Sequence, residues 1–222
     1  EICTPELYAA AARGEIPVAA WRRIDEIGLP LLLVDEDHGG LGLPAAQAFA
    51  LLKLVGRYGA PLPIAETAVA NGALASAHLE LAAGPAAIVP QSNALRLGEG
   101  VVSGSAERIA WGGAASTWIV DFCGRIARCG EARAVTTQSS IAGFPRDALE
   151  FGGAADVAAY AGPPVLVLGA AVRCMQMALE GIKAPVDYIN PHATSTPVGD
   201  RPEINAIQAV CGANPPPIRA TK

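Results

Sequence analysis

Apolar residues recur at helical spacing in three stretches of the first third of the chain. The first stretch begins at Pro17 and ends before Gly28, the second covers 44–58 and the third covers 64–81. Proline in the first turn and glycine after the last turn are typical helix boundaries. The apolar faces of the first two helices consist of Ala20, Trp21, Ile24, Ile27, Ala48, Leu51, Leu52 and Val55. Each apolar face needs a partner, so the pattern predicts a small helical bundle over 1–83.

After Gly84 the pattern changes to short segments rich in β-branched residues and separated by Gly, Ser and Asn. The strands predicted from these segments are Ala86–Val89, 101–104, 117–122 and 134–137. Short strands between turn residues are typical of an antiparallel sheet. We therefore expect a small β-rich domain over 84–165.

The last part of the chain mixes both patterns. It predicts a helix over 165–179, a strand over 186–189, a helix beginning at Asp200 and containing Ile204 and Ile207, and a final strand over 218–221. The complete pattern predicts an α+β fold with three parts: a helical bundle, a β-rich middle domain and a strand–helix–strand fragment over 166–222.

Composition and charge exclude several classes of protein. Half of the residues are hydrophobic (51%), 17% are charged and the mean hydropathy is +0.33, which excludes a disordered chain. The formal net charge is −5 and no basic stripe is present, so we expect no nucleic-acid partner. The apolar run 157–172 is interrupted by Gly162, Pro163 and Pro164 and is shorter than the roughly 20 residues of a membrane-spanning helix. We therefore expect no membrane association.

The five cysteines argue against a disulfide framework and against a structural zinc site. Their number is odd, they are widely separated and none forms a C-x-x-C pair. Because no signal peptide precedes the first helix, we expect a cytoplasmic protein. The sequence starts at Glu1 rather than Met and stops at Lys222, at an apparent strand-to-loop transition, and we expect both ends to be cut.

The acidic turn before His38 has two interpretations. Asp35, Glu36 and Asp37 beside a histidine could form a metal site, or they could form a solvated turn. One histidine next to adjacent carboxylates lacks convergent geometry, so the solvated turn is favoured and no metal is expected.

The most specific motif in the chain follows the predicted strand over 186–189. It reads His192-Ala193-Thr194-Ser195-Thr196-Pro197, followed by Gly199-Asp200. One interpretation is a turn in which the hydroxyl groups bond to their own backbone. The other is a site that presents an imidazole and threonine hydroxyls to a carbonyl- or amide-rich ligand.

Together with the Asp187-Tyr188-Ile189-Asn190 string and the closing Ala220-Thr221-Lys222, this motif resembles the C-terminal half of the β-ketoacyl-ACP synthases, which have a thiolase-like fold. The resemblance implies decarboxylative condensation without a cofactor. It implies catalytic roles for His192, which stabilises an enolate, and for Lys222. It also implies that Thr194 and Thr196 bind the pantetheine arm of an acyl carrier protein or CoA thioester.

The chain departs from the synthase pattern in three respects. Ala193 replaces the usual glycine of the motif, the second active-site histidine of the family lies beyond Lys222, and the nucleophilic cysteine belongs to an upstream half that has no counterpart here. Cys174 lies on a predicted helix and is expected to pack in the core. We therefore expect no condensation by this chain alone.

The first 165 residues resemble a different family. The strings Trp21-Arg22-Arg23-Ile24 and Gly39-Gly40-Leu41-Gly42, followed by Val102-Ser103-Gly104 and Gly143-x-Pro145-Arg146-Asp147, resemble the helical and middle β-domains of acyl-CoA dehydrogenases. The resemblance implies FAD as a cofactor of this part. The flavin-contacting strings of that family are not recognisable, and the bundle that supplies its catalytic glutamate has no counterpart, so no cofactor-binding residues are identified.

These observations leave three hypotheses for function, two of them within acyl-thioester metabolism. The chain is a β-ketoacyl synthase-like protein, a dehydrogenase-like subunit whose partner supplies flavin and base, or a chimaeric fragment without activity. The segment 167–173 fits either family, which is what a junction between the two would look like. We expect an oligomer, homomeric or heteromeric, because a thiolase-like half normally buries its strands against a second half.

Overall fold

The computed structural model describes residues 3–162 apart from 91, 123, 141 and 142, and in addition residues 204, 207, 217 and 218. The chain divides into two compact units, Glu1–Gly162 and Pro163–Lys222. The three domain boundaries expected from the sequence stay a prediction. No helix in the described part of the chain is long and apolar enough to cross a bilayer.

Four α-helices precede the strands in the described part of the first unit. They are α1 (Pro5–Ala12), α2 (Val18–Glu26), α3 (Ala45–Arg57) and α4 (Ile64–Ser76). α2 and α3 lie where apolar spacing predicts them, and their inner faces contribute Ile24, Ala48 and Leu52 to one buried cluster. Leu51 was expected on the same face but is 36% exposed, because it lies at the edge of the stripe.

The sequence missed α1 and placed the end of α4 too late. α1 contains four consecutive alanines, so its sequence lacks the apolar periodicity that marks a helix; its first turn is capped by Thr4, whose Oγ1 accepts from the Leu7 N–H at 3.3 Å. α4 ends at Ser76 because the chain reverses there, with His78 in the left-handed conformation at φ +54°.

Seven strands form one mixed sheet in the described residues. They are β1 (Ala86–Val89), β2 (Leu95–Gly98), β3 (Val101–Ala110), β4 (Thr117–Asp121), β5 (Arg125–Cys129), β6 (Arg133–Ser139) and β7 (Pro145–Ala159). Their order is β1-β4-β5-β7-β3-β2, and β6 also pairs with β7. The predicted antiparallel arrangement holds for every pair except β1–β4, which is parallel.

β7 organises the sheet, although the sequence did not predict it as a strand. Its residues bond to β3, β5 and β6. The segment contains Gly152, Gly153 and several alanines, which have low strand propensity. It is a strand because neighbours on both sides satisfy its backbone groups, and this depends on tertiary structure rather than on local sequence.

Two buried polar side chains of α4 bond to the backbone of neighbouring segments, one of them the first strand. Thr67 Oγ1 accepts from the Ala86 N–H at 3.0 Å, at the start of β1. Asn71 donates to the Pro30 carbonyl at 3.1 Å and accepts from the Ala82 N–H at 2.9 Å. Both side chains are fully buried, so these bonds satisfy backbone groups that water does not reach.

Four positions of the C-terminal part are described. Ile204 and Ile207 are helical, as predicted, and Ile207 is buried whereas Ile204 is 47% exposed. Ile218 forms a bridge within the predicted final strand. The predicted strand over 186–189 and the helix over 165–179 lie outside the described residues.

Candidate functional site

The four site residues predicted from the synthase resemblance lie outside the described residues. They are His192, Thr194, Thr196 and Lys222. Their roles stay a prediction. The described residues contain three other features with chemical potential: a groove on the sheet, a buried cysteine and a pair of histidines.

The groove lies beside β5, β6 and β7 and has a volume of about 420 Å³. Its described lining consists of Trp118, Gly130, Glu131, Ala132, Arg133, Glu150, Gly152 and Gly153. Arg133 forms an ion pair with Glu150 across β6 and β7. Gly130 and Gly152 have no atom within 4 Å of a hypothetical Cβ, so the space beside these two glycines is open. Its charge is dominated by carboxylates.

A rigid turn connects β3 to β4 next to this groove. Trp111 has φ +56° and is 4% exposed, with its ring stacked on Phe144 at a centroid distance of 5.9 Å. The carboxylate of Asp147, also buried, accepts from the Gly113 N–H at 2.6 Å. The Trp118 indole donates to the Gly112 carbonyl at 2.9 Å. These contacts hold the turn in place, and the indole of Trp111 is covered rather than presented to a ligand.

Cys129 is the buried cysteine of the sheet. It is 2% exposed and lies in the core beside Val120 and Leu149. Burial raises the pKa of its thiol to about 12, and the negative charge of Asp156 adds to the shift. Because the thiolate is the nucleophilic form, this cysteine is unreactive near neutral pH.

We expect iodoacetamide at pH 8 to alkylate Cys3 far faster than Cys129 in the folded chain. Cys3 is partly exposed, whereas the thiol of Cys129 stays protonated until the pH approaches 12. Mass spectrometry of the two peptides after timed quenching measures the rates. In guanidinium chloride the rates should become similar, because the burial that causes the difference is lost. Equal rates in the folded chain contradict the description of Cys129 as inert.

The acidic turn is more structured than the sequence indicated. Asp35 caps a short helical turn (Glu36–His38) and its carboxylate accepts from the His38 ring at 2.6 Å. This hydrogen bond to the side chain of His38 is the main cause of the lowered pKa of Asp35. On its other side the His38 ring lies 3.1 Å from Nδ1 of His78. This contact with His78 could not be predicted from the sequence, because it joins residues 40 positions apart.

Comparisons with known proteins give a sequence match for the C-terminal part of the chain and fold matches for most of its length. Residues 152–222 match the family described as beta-ketoacyl synthase, C-terminal domain. Over 52 residues, 23% of this chain, the sequence is 58% identical to 3-oxoacyl-(acyl-carrier-protein) synthase 1 of Escherichia coli K12 and 52% identical to that of Haemophilus influenzae. The match spans 13% of the length of these relatives.

The solved structures with similar folds include acyl-CoA dehydrogenases. A putative acyl-CoA dehydrogenase from Mycobacterium smegmatis has a TM-score of 0.54 and 14% identity, covering 79% of this chain and 60% of that chain. Butyryl-CoA dehydrogenase from Megasphaera elsdenii has a TM-score of 0.50 and 12% identity, covering 92% and 71%. At this identity the likeness concerns the fold alone.

The matched synthase segment and the sheet overlap. The first eight residues of the match, 152–159, form the second half of β7 and bond to β3 and β5. The synthase resemblance inferred from the sequence is confirmed for the C-terminal segment, and the dehydrogenase resemblance is confirmed for the fold. The chain is chimaera-like: its C-terminal segment is similar in sequence to β-ketoacyl synthases, and its structural neighbours include acyl-CoA dehydrogenases.

Proposed function

We propose that this chain acts in acyl-thioester metabolism and that its C-terminal part provides the decarboxylation half of a β-ketoacyl synthase-like site. The observation that carries the proposal is the 58% identity to a 3-oxoacyl-(acyl-carrier-protein) synthase in the segment that contains the His-x-Thr-Ser-Thr-Pro motif. Two dehydrogenase-like features, the fold and the N-terminal strings, are consistent with the same substrate class, because both families act on acyl thioesters.

The reaction proposed for this half-site is the loss of carbon dioxide from a malonyl thioester. The bond between C2 and the carboxylate breaks, CO₂ leaves, and the electron pair passes into the thioester carbonyl as an enolate. Without an acyl acceptor, water returns a proton to C2 and an acetyl thioester forms. No redox partner or cofactor is consumed.

Each predicted residue has a role in this step. An N–H of His192 donates to the enolate oxygen, where the negative charge develops, and the ammonium of Lys222 adds a positive charge nearby. Hydroxyl groups of Thr194 and Thr196 bind amide groups of the pantetheine arm. The substrate carrier is an acyl carrier protein or CoA. The chain lacks a recognisable counterpart of the nucleophilic cysteine, and Cys129 is too well buried to take its place.

The experiment that tests the proposal measures CO₂ release from carboxyl-labelled malonyl-ACP and malonyl-CoA by the purified chain. Release above the buffer rate supports the half-site. A rate equal to that of buffer with both carriers supports the hypothesis of an inactive chimaeric fragment instead.

The second candidate function is a dehydrogenase-like subunit that works with a flavin-containing partner. The similarity in fold favours it, whereas the charge of the sheet groove makes that groove a poor site for FAD. The diphosphate of FAD needs N–H donors or unpaired cations. Arg133 is the cation among the described residues of the groove, and it is already paired with Glu150 next to Glu131. The side chains of this groove therefore do not fit the diphosphate of the cofactor.

We expect the purified chain to show no visible flavin absorbance and no increase in melting temperature with added FAD. A ligand that binds the folded state raises the melting temperature by mass action, so the melt reports binding directly. FMN, which lacks the diphosphate, is the matched control. A yellow protein whose melting temperature rises with FAD but not with FMN contradicts the interpretation of the groove.

A further inference from the structure

His38 and His78 come together at the surface of the first unit from two different elements. His38 ends the helical turn Glu36–His38, and His78 follows the C-terminal end of α4. Their ring centroids are 5.2 Å apart and the planes are inclined by 38°. His38 is partly buried whereas His78 is exposed, so the pair is accessible to small solutes.

The carboxylate of Asp35 fixes the tautomer of His38. It lies 2.6 Å from Nδ1, so this nitrogen carries the proton and donates it to the carboxylate. Nε2 is then left with its lone pair, and it faces Nδ1 of His78 at 3.1 Å. A carboxylate behind a histidine, with the free nitrogen pointing forward, is the arrangement that orients metal-binding histidines in proteins.

The spacing of the two nitrogens suits a shared metal ion. Zinc–nitrogen bonds measure about 2.0–2.1 Å, so two nitrogens 3.1 Å apart subtend an angle of roughly 100° at the ion. This angle lies near the tetrahedral value. In the absence of an ion, Nδ1 of His78 donates to this lone pair. When an ion binds, the His78 proton moves to Nε2, the exposed ring rotates to direct the Nδ1 lone pair at the ion, and water molecules complete the coordination.

The backbone conformation at His78 determines where its ring lies. The residue adopts φ +54°, a left-handed conformation that glycine usually occupies at the end of a helix. Its N–H donates to the Ala75 carbonyl at 2.9 Å, and the Leu79 N–H donates to the Leu74 carbonyl at 2.9 Å. Glycine adopts this conformation more easily than histidine does. With histidine at this position, the imidazole ring lies against that of His38.

The surrounding charge favours a cation. Asp35, Glu36 and Asp37 lie in the turn, and the sequence contains no lysine or arginine over 24–52 or 58–95. Glu80 lies two residues after His78 and pairs with Arg128 at 3.0 Å. The carboxylates of the turn are thus left as the main charges close to the two histidines.

We propose that His38 and His78 bind a divalent transition-metal ion of the zinc class, with Asp35 as the positioning residue. The site has two protein ligands; no group of three or more His, Cys, Asp and Glu side chains is arranged to hold a metal in the described part of the chain. A bound ion would link the Asp35–Gly42 turn to the end of α4, two segments that are far apart in the sequence.

The test is calorimetric titration of the full chain with ZnCl₂, repeated with CoCl₂ for its absorption spectrum. We expect one ion per chain with micromolar affinity. His38→Ala and His78→Ala should each weaken binding at least tenfold, and Asp35→Asn about tenfold, because the outer carboxylate orients its histidine. Asp37→Asn removes one negative charge from the same turn and should weaken binding by no more than about threefold. His192→Ala, which removes the third histidine of the chain, should leave the zinc affinity unchanged.

Three results would overturn the proposal. They are wild-type affinity in His78→Ala, a loss of binding in His192→Ala, and a cobalt spectrum with a thiolate charge-transfer band, which assigns the ion to cysteine. Circular dichroism of each variant serves as the control for whether the fold is retained. Zinc should also raise the melting temperature of the wild type but not that of His78→Ala.

Discussion

Replacing His192 with alanine is expected to reduce CO₂ release from malonyl-ACP by about 10²- to 10³-fold, the usual effect of removing one donor to a developing oxyanion. The enolate oxygen gains its negative charge during the step, so the lost N–H donor affects the transition state more than the bound substrate. The measurement is the initial rate of labelled CO₂ release at saturating malonyl-ACP. Glu26→Gln, an exposed substitution at the end of α2, is the control and should keep the wild-type rate.

Thr194→Val separates binding from chemistry in the same assay. If the threonine hydroxyls hold the pantetheine arm, this variant raises KM while kcat changes little.

A His192→Ala variant that decarboxylates at the wild-type rate rules out the proposed role of the imidazole. Ala193→Gly restores the residue usual in the synthase motif, and its rate shows what the extra methyl group costs.

The sequence predicted the fold well where local signals were strong. α2 and α3 were found from proline, glycine and apolar spacing, and β1 was predicted with the bounds that the structure gives. α1 and β7 were missed for a common reason. Both are rich in alanine or glycine, so their conformation depends on a cap at Thr4 in one case and on pairing with β3 and β5 in the other.

The candidate sites differ in whether they could be predicted from the sequence. The motif at His192 could be identified because its residues are contiguous and resemble a known family. The pair of His38 and His78 could not, because it depends on where α4 ends and on how the acidic turn packs against that end. The turn was correctly interpreted as acidic and exposed, but its partner became visible only in the structure.

Gly104→Ala is expected to be the most destabilising small substitution in the sheet. Gly104 has φ +113°, a conformation that L side chains rarely adopt, and a Cβ there would lie 2.0 Å from the Ala94 carbonyl oxygen. The obstacle is backbone, so β2 and β3 must separate to admit a methyl group. Strain and overpacking together should cost about 3–5 kcal/mol, which lowers the melting temperature by roughly 10 °C.

Gly152→Ala on β7 is the matched control for this prediction. Gly152 pairs with Ser103, one position from Gly104, but it has no atom within 4 Å of a Cβ and no positive φ. Alanine should therefore be neutral there, or stabilising by about 0.4–1 kcal/mol through the unfolded chain. Denaturant unfolding followed by tryptophan fluorescence reports on this sheet, because the buried Trp118 lies in β4 and the buried Trp111 lies in the turn between β3 and β4. Equal unfolding midpoints for the two variants would contradict the strained conformation described at Gly104. A midpoint that falls in Gly104→Ala but not in Gly152→Ala would show that the close approach of β2 and β3 depends on glycine at position 104.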